Sequence, residues 1–280
     1  MENSFLSSAE LKAKAKEALA GKYGKFVLAT LVVGLITLAA KYIVALFALI
    51  FFSMFVVIKE MLSNGHTIEE VQRLARDFAY MQDYSVWFNA INYVLQIGVD
   101  IFTSVFNVGV WLFCLNLACG RTLKITDVFY GFRNQMGKSL HLAAVLTLVS
   151  QICYLPSNIL SYLIRNDAPW ILILAMLLLY VGCTIIYVPI SLSISQMFLL
   201  LLDFPGYSAK ELIKLSAHIM KGHKGRLFYI QLSFLPLIFL SLLTFGIGNL
   251  WLIPYMNITY TFFFLNLMQA RDATSSVPTY

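Results

Sequence analysis

Charge is the scarcest commodity in this sequence. Only 12% of its 280 residues are Asp, Glu, Lys or Arg and 60% are hydrophobic, where a soluble domain carries roughly a quarter charged. A chain this apolar cannot hide its side chains in a core of its own size, so lipid must cover the remainder. Histidine is equally sparse, and His66, His141, His218 and His223 show no metal-ligand spacing. Cys114, Cys119, Cys153 and Cys183 fall in apolar segments without a CxxC pair and read as small buried hydrophobes. There is no HExxH, no pair of aspartates and no Ser/His arrangement at a shared depth, which argues against an intramembrane enzyme. Gly21-Lys22 and Gly24-Lys25 lack the spacing of a phosphate loop. Asn257-Ile258-Thr259 matches a glycosylation acceptor only inside an apolar run. No cofactor is expected. A cleaved signal peptide is not expected either, because the first 25 residues are polar and lysine-rich and the first apolar run is too long for one.

What is present is a series of long apolar runs. A helix crossing the hydrocarbon core needs about 20 mostly apolar residues, and six segments qualify: Phe26–Ile58, Val86–Cys119, Leu140–Ile164, Trp170–Leu202, Leu227–Phe245 and Leu250–Met268. The fold class is therefore all-α, a polytopic membrane helix bundle of about six transmembrane helices in one integral membrane domain, with residues 271–280 as a flexible cytoplasmic tail. Phe26–Ile58 leaves open whether it is one long helix or a broken one. With the N-terminus inside, the basic residues sort to one side. Lys12, Lys14, Lys16, Lys22, Lys25, Arg121, Lys124, Arg133, Lys138, Lys210, Lys214, Lys221, Lys224, Arg226 and Arg271 are then cytoplasmic. Lys59, Arg73, Arg76 and Arg165 lie outside, and the positive-inside rule favours this orientation with both termini in the cytoplasm. The net charge of +6 is thereby read as a topology signal and not as a nucleic-acid surface.

Residues 7–26 and 208–227 align without a gap. Ser7, Glu10, Leu11, Gly21 and Gly24 match Ser208, Glu211, Leu212, Gly222 and Gly225, and Lys25 corresponds to Arg226. Ser-x-x-Glu is a capping box that opens a helix, and the glycine closes it. A shorter cousin lies between Leu123 and Leu140, where Thr126 or Asp127 is the expected cap and Gly137-Lys138 the expected stop. The chain reads as a three-fold parallel repeat, with units of roughly 1–120, 121–203 and 204–270. In the third unit Leu212, Leu215, Ile219 and Met220 form an apolar stripe opposite Lys210, Lys214, His218 and Lys221. Such an amphipathic helix is expected in the headgroup region, with its lysines against anionic lipid. Thr67-x-x-Glu70 is a third capping box, on the outside, and Ile68, Val71, Leu74 and Phe78 suggest another surface helix there.

Three stretches carry a family likeness: ELKAKAKEALAGKYGKF near the start, ITDVFYGFRNQMGKSL in the middle, and SAKELIKLSAHIMKGHKGRLF followed by LSF and FGIGNLWLIPY near the end. On these the sequence resembles the uncharacterised bacterial integral membrane proteins grouped as domain-of-unknown-function family nine-seven-five. The likeness touches most of the chain; residues 59–85 and the first span contribute nothing to it. It implies a bacterial cytoplasmic membrane, mostly in Gram-positive organisms, and brings no activity and no catalytic residues.

The second span has the most unusual chemistry. Asn89, Asn92, Gln96, Asp100, Thr103 and Asn107 recur at steps of three and four, which gathers them within about 60° on a helix. Weaker stripes follow: Thr147, Gln151, Tyr154, Asn158 and Ser161 on the third span, and Tyr180, Thr184, Tyr187, Ser191 and Ser195 on the fourth. Lys41 and Asp100 are the ionisable groups deep in apolar segments. A central charge costs at least about 2.5–3.5 kcal/mol, so each needs a partner or water. Their depths, about 22 Å and 28 Å from the cytoplasmic ends of their spans, allow antiparallel neighbours to pair them. Two functions stand. The first is a non-enzymatic membrane scaffold or accessory protein that places Lys12, Lys14, Lys16, Lys22, Lys25, Lys210, Lys214, Lys221, Lys224 and Arg226 against anionic headgroups, with another membrane protein as a second partner. The alternative is a small transporter or channel that uses the polar seam, with Asp100 as its critical residue.

Overall fold

A computed structural model describes residues 5–64, 67–74, 78–163 and 169–275. His66, Arg76, Arg165, residues 276–280 and the side chains of Val71, Leu74, Phe78 and Val86 lie outside what is described. Every regular element among the described residues is helical. The first unit runs α1 (Ser8–Leu19), α2 (Tyr23–Asn64), α3 (Ile68–Leu74), α4 (Phe78–Thr103) and α5 (Phe106–Ala118). A 3-10 turn (Ile125–Phe129), α6 (Tyr130–Asn134), α7 (Met136–Leu163), α8 (Trp170–Ile194) and α9 (Met197–Asp203) form the second. The third is α10 (Ala209–Ile219), α11 (Lys224–Leu232), α12 (Leu235–Leu243) and α13 (Asn249–Ser275).

Among the described residues, five stretches are long and apolar enough to cross a bilayer: Tyr23–Ser63, Phe88–Ala118, Met136–Ser161, Trp170–Asp203 and Lys224–Leu243. The first resolves the open question about Phe26–Ile58. It lies within one unbroken helix of 42 residues, about 63 Å long and longer than a hydrocarbon core is thick. The sixth expected span, Leu250–Met268, lies in α13 and falls short of the other five in apolarity. Its reason is its place. α13 packs against α1, α2, α5 and α12, with Ile258, Thr259, Thr261, Phe263 and Phe264 fully buried. A helix surrounded by helices need not present a greasy surface to lipid, so Thr259 and Thr261 are accommodated by donating to the carbonyls of Tyr255 (2.7 Å) and Asn257 (2.9 Å).

Three of the spans are broken: α4 from α5, α8 from α9, and α11 from α12. Proline accounts for one break: Pro236, in the first turn of α12, has no N–H for the Leu232 carbonyl that ends α11, whereas Pro156, Pro189 and Pro254 lie inside continuous helices. A hydroxyl residue stands at each break as well. Thr103 Oγ1 donates to the carbonyl of Val99 (2.8 Å), Ser195 Oγ to Leu192 (2.9 Å) and Ser233 Oγ to Ile230 (2.6 Å). Such bonds compete with the helix ladder, but they also occur in unbroken helices, at Thr30 of α2 and Thr259 of α13, so they do not by themselves set the breaks.

The aligned segments 7–26 and 208–227 match in structure. Ser7 and Glu10 cap α1 reciprocally, as Ser208 and Glu211 cap α10. Gly21 and Gly222 both take positive φ, +70° and +85°, the left-handed position that ends a helix and suits glycine. Leu11 and Leu212, Ala15 and Ser216, Leu19 and Met220, and Phe26 and Leu227 are buried pair by pair. Thr67 and Glu70 form the third capping box, ahead of α3.

Contacts between the units close head to tail. α6 and the 3-10 turn of the second unit pack on α5 of the first; α10 of the third packs on α8 and α9 of the second; α1 of the first packs on α13 of the third. The spans follow the same rule, with α4 against α7, α8 against α11 and α13 against α2. One ring of three results, and the buried ends of α5, α9 and α13 fill its middle.

Two expectations are corrected. Neither Thr126 nor Asp127 caps a helix, because the segment opens as a 3-10 turn after Lys124, with no side-chain cap. Gly137-Lys138 is not a stop but lies in the first turn of α7. The segment docks through two other glycines. A Cβ on Gly109 would stand 2.1 Å from the carbonyl oxygen of Val128, and one on Gly131 would stand 2.6 Å from that of Val105. Both obstacles are backbone, which cannot swing aside. Gly109→Ala should therefore lower stability by at least about 1–3 kcal/mol. Gly24→Ala, facing open space, should leave the thermal midpoint in detergent nearly unchanged. Equal midpoints for the two would refute the close approach.

Candidate functional site

α2, α4, α7 and α8 stand side by side, each touching the next, and their polar residues meet in the gaps. Between α2 and α4, Lys41 Nζ lies 2.6 Å from Asp100 Oδ1. Gln96, one turn away on α4, donates from Nε2 to the Lys41 carbonyl at 3.4 Å. Two groups that would each be costly in hydrocarbon thus neutralise one another on facing helices. Their side chains are 42% and 34% exposed, so the pair is screened on one side only.

Between α4 and α7 the centre is Tyr93, a residue outside the expected stripe. Its hydroxyl donates to Gln151 Oε1 and accepts from Asn158 Nδ2 at 3.0 Å. Both capacities of the phenol are used, and one polar atom of each of two third-span stripe members is bonded by one partner. Between α7 and α8, the Tyr154 hydroxyl and Thr184 Oγ1 share a hydrogen bond of 3.2 Å. The Tyr154 ring stacks on Tyr180 and leans on Tyr187, with centroids 5.2 Å and 5.4 Å apart.

Other members of the second-span stripe fare differently. Asn89 and Asn92 are half-buried, and Asn92 Oδ1 is a buried acceptor without a hydrogen-bond partner. Thr103 is spent on its own helix at the break, and Asn107 lies beyond that break in α5. The stripe is therefore not continuous to Asn107 but ends where α4 ends. On the fourth span Ser191 and Ser195 donate to their own helix, at Val188 and Leu192.

The basic candidates divide into two groups. Lys12 donates to the Ser233 carbonyl (3.0 Å) and sits 4.1 Å over the Phe234 ring, while Lys16 lies 5.8 Å over Tyr255. Burial, and secondarily Lys16, hold the Lys12 ammonium below its ordinary range. Arg226 donates to the Leu6 carbonyl and to Asn266 Oδ1 (2.8 Å). Lys14, Lys25, Lys210, Lys214 and Lys221 are exposed, and Lys22 and Lys224 half-buried. The amphipathic helices carry a correction too. Leu212 and Met220 of the third-unit stripe are fully buried, with Leu215 and Ile219 half-buried, and α10 rests on α7, α8 and α9. The apolar face is thus used largely against protein. Cys119 differs from its sequence reading as well, being exposed at the end of α5. No three His, Cys, Asp or Glu side chains among the described residues converge as a metal site requires.

A ring of broken apolar helices holding a hydrogen-bonded polar seam defines a polytopic α-helical membrane protein. Within that class, residues 1–271 match the family described as a protein of unknown function, DUF975, and the chain belongs to it. No curated protein and no solved structure matches it.

Removing one member of the ion pair strands the other. Asp100→Asn and Lys41→Met should each destabilise by about 2.5–3.5 kcal/mol, the insertion cost of the orphaned charge or its loss of a partner. The double variant should recover most of that, as paired charges replaced together often do. Thermal midpoints of all four proteins in one detergent decide it; additive losses would mean that the pair does not couple.

Proposed function

We propose that this protein is a non-enzymatic scaffold or accessory protein of a bacterial cytoplasmic membrane, with both termini in the cytoplasm, that gathers anionic phospholipid beneath its basic helices. The carrying observation is the division among the cations. Lys12 and Arg226 are half-buried and engaged on carbonyls, and the exposed Lys16 leans over the Tyr255 ring at 5.8 Å, whereas Lys14, Lys25, Lys210, Lys214 and Lys221 stand exposed on or beside α1 and α10. Because the apolar faces of these two helices are buried in the ring, the lysines are carried on a rigid platform and not on a floating amphipathic helix. Each basic residue near an anionic surface contributes about 1 kcal/mol, so a platform of five is strong enough to recruit lipid. The orientation rests on these same residues falling on one side by the positive-inside rule.

The transporter reading keeps one supporting fact, the partial exposure of Lys41 and Asp100. Against it, Tyr93 is bonded to Gln151 and Asn158, and Tyr154 to Thr184, whereas a conduction path needs such groups available to its cargo.

The test uses full-length protein in bilayers mixing phosphatidylglycerol with phosphatidylcholine, with spin-labelled lipid reporting composition at the protein surface. Phosphatidylglycerol should be enriched several-fold, less so at high salt. Replacing Lys14, Lys25, Lys210 and Lys214 together by Gln should remove most of the enrichment. Proton or cation flux in the same vesicles should not exceed that of empty ones. A flux abolished by Asp100→Asn would instead establish transport.

A further inference from the structure

Lys224–Leu243 has the length and apolarity to cross a bilayer, but the helix beside it does not belong in hydrocarbon. α1 packs along α13. The Leu6 amide donates to Asn266 Oδ1 (3.2 Å) before its start, and Lys16 lies 5.8 Å over the Tyr255 ring near its end. Between them Lys12 donates to the carbonyl of Ser233, where α11 stops. α1 exposes Glu10, Lys14, Lys16 and Glu17, charges that are costly in hydrocarbon. α11 and residues 255–266 of α13 therefore share the aqueous and headgroup layer of α1. What is left to enter lipid is short. α12 (Leu235–Leu243) reaches about 14 Å and residues 249–254 about 9 Å, against a hydrocarbon thickness of about 30 Å. We infer that α12 and the start of α13 form a hairpin inserted into one leaflet only, the leaflet beside α1, with its acyl chains as partner. The third unit thus dips into the membrane without crossing it.

The hairpin is built for that place. Its turn stays beside the entrance of α2, because Thr244, Gly248 and Trp251 line one cavity with Tyr23, the first residue of that helix. Every backbone amide from Thr244 to Leu252 donates within the turn or the first turn of α13, with Thr244 Oγ1 accepting from Gly248 (3.0 Å). A loop in water has no need of such completeness; a turn in hydrocarbon has no other source of partners. No charged residue lies between Arg226 and Arg271. Phe245, at the tip, holds φ at +52° and is 99% exposed, an unusual backbone state for a bulky residue whose ring then meets only its surroundings. Leu235, Leu237, Phe239, Leu240, Leu242 and Leu243 are exposed too and cover more than half of the circumference of α12 at 100° per residue. A docked helix would cover one stripe, whereas lipid surrounds. Trp251 and Tyr23, at the base, are residue types that favour the interface.

The inference does not depend on lipid being gathered by the lysines; in the orientation proposed above, the leaflet is the cytoplasmic one. Its test is a depth measurement on full-length protein in phosphatidylglycerol/phosphatidylcholine vesicles. With Cys119 and Cys153 replaced by alanine, leaving the buried Cys114 and Cys183, spin labels go on Leu243→Cys or Ile247→Cys. Both positions are exposed, so neither change removes packing. Leu35→Cys and Leu62→Cys, exposed near the entrance and at the far end of α2, calibrate depth. Both hairpin labels should collide with oxygen and hardly with a water-soluble nickel chelate, at a depth of at most about 14 Å from the α1 side. A membrane-impermeant thiol reagent should reach neither cysteine from the far side. Reaction from the far side, as at Leu62→Cys, would show a full crossing and overturn the inference. Free access to the nickel chelate would place the hairpin in water, and spin–spin broadening between protomers would make a second copy its partner; either result also overturns it.

Discussion

In lipid every backbone and side-chain polar group must find its partner within the protein, and here most of that demand is met by closing three units into a ring. α5, α9 and α13 bring Cys114, Leu117, Leu199, Leu200, Phe263 and Phe264 to the middle, where they are buried completely or nearly so. The short helix of each following unit then covers the junction: α6 over α5, α10 over α9, α1 over α13. Remove one cover and a dry interior face meets water. The reciprocal caps on α1 and α10 follow from this duty, since a short covering helix has few backbone bonds of its own and loses stability quickly if its first turn frays.

The seam on the other side of the bundle obeys the same demand at higher stakes. An isolated tyrosine, glutamine or asparagine would be a poor choice for a span. In the seam they fall into two sets, Tyr93 with Gln151 and Asn158 between α4 and α7, and Tyr154 with Thr184 between α7 and α8. Interhelical hydrogen bonds of this kind contribute only about 0.6 kcal/mol each on average. Their larger effect is to set which helices are neighbours, because any other arrangement leaves several of them unsatisfied. Lys41 and Asp100 fix the outermost pairing in the same way, which matters because α2 is otherwise clothed in exposed Leu, Ile and Phe that any apolar surface would accept.

Much of this was legible in the sequence wherever the physics is local or severe. Ser-x-x-Glu with a glycine downstream defines a short helix within a few residues, so both copies and the Thr67–Glu70 box were readable. The Lys41–Asp100 contact was readable because two intramembrane charges are too costly to leave apart and depth arithmetic leaves few partners. Tyr93 was not, since a tyrosine in a span looks like any aromatic until its neighbours are known. The destination of the amphipathic helices was hidden for a related reason: the stripe of Leu212 and Met220 has the same period whether it faces lipid or protein. Gly109 and Gly131 were invisible because their role is to let two backbones touch, and nothing in a glycine's surroundings in sequence says what will approach it.

The three units are not interchangeable, and the differences lie where the ring must also do something else. Lys25 and Arg226 occupy matching positions, yet Lys25 is exposed while Arg226 reaches back to the N-terminal segment and Asn266. The exchange of lysine for arginine is what allows this. A guanidinium can donate to a carbonyl and an amide oxygen in one plane while stacking on Phe5 and Phe263, which an ammonium cannot do. One consequence is structural, because the beginning of the chain is tied to its last helix and the ring is locked at the single seam that has no covalent connection. The other is spatial, because the same tie brings Phe5 against His223, with ring centroids 4.8 Å apart. Arg226 thus adds a polar tie to a closure that the buried Leu11, Ala15 and Leu19 of α1 already make with Ile258, Phe263 and Leu267 of α13.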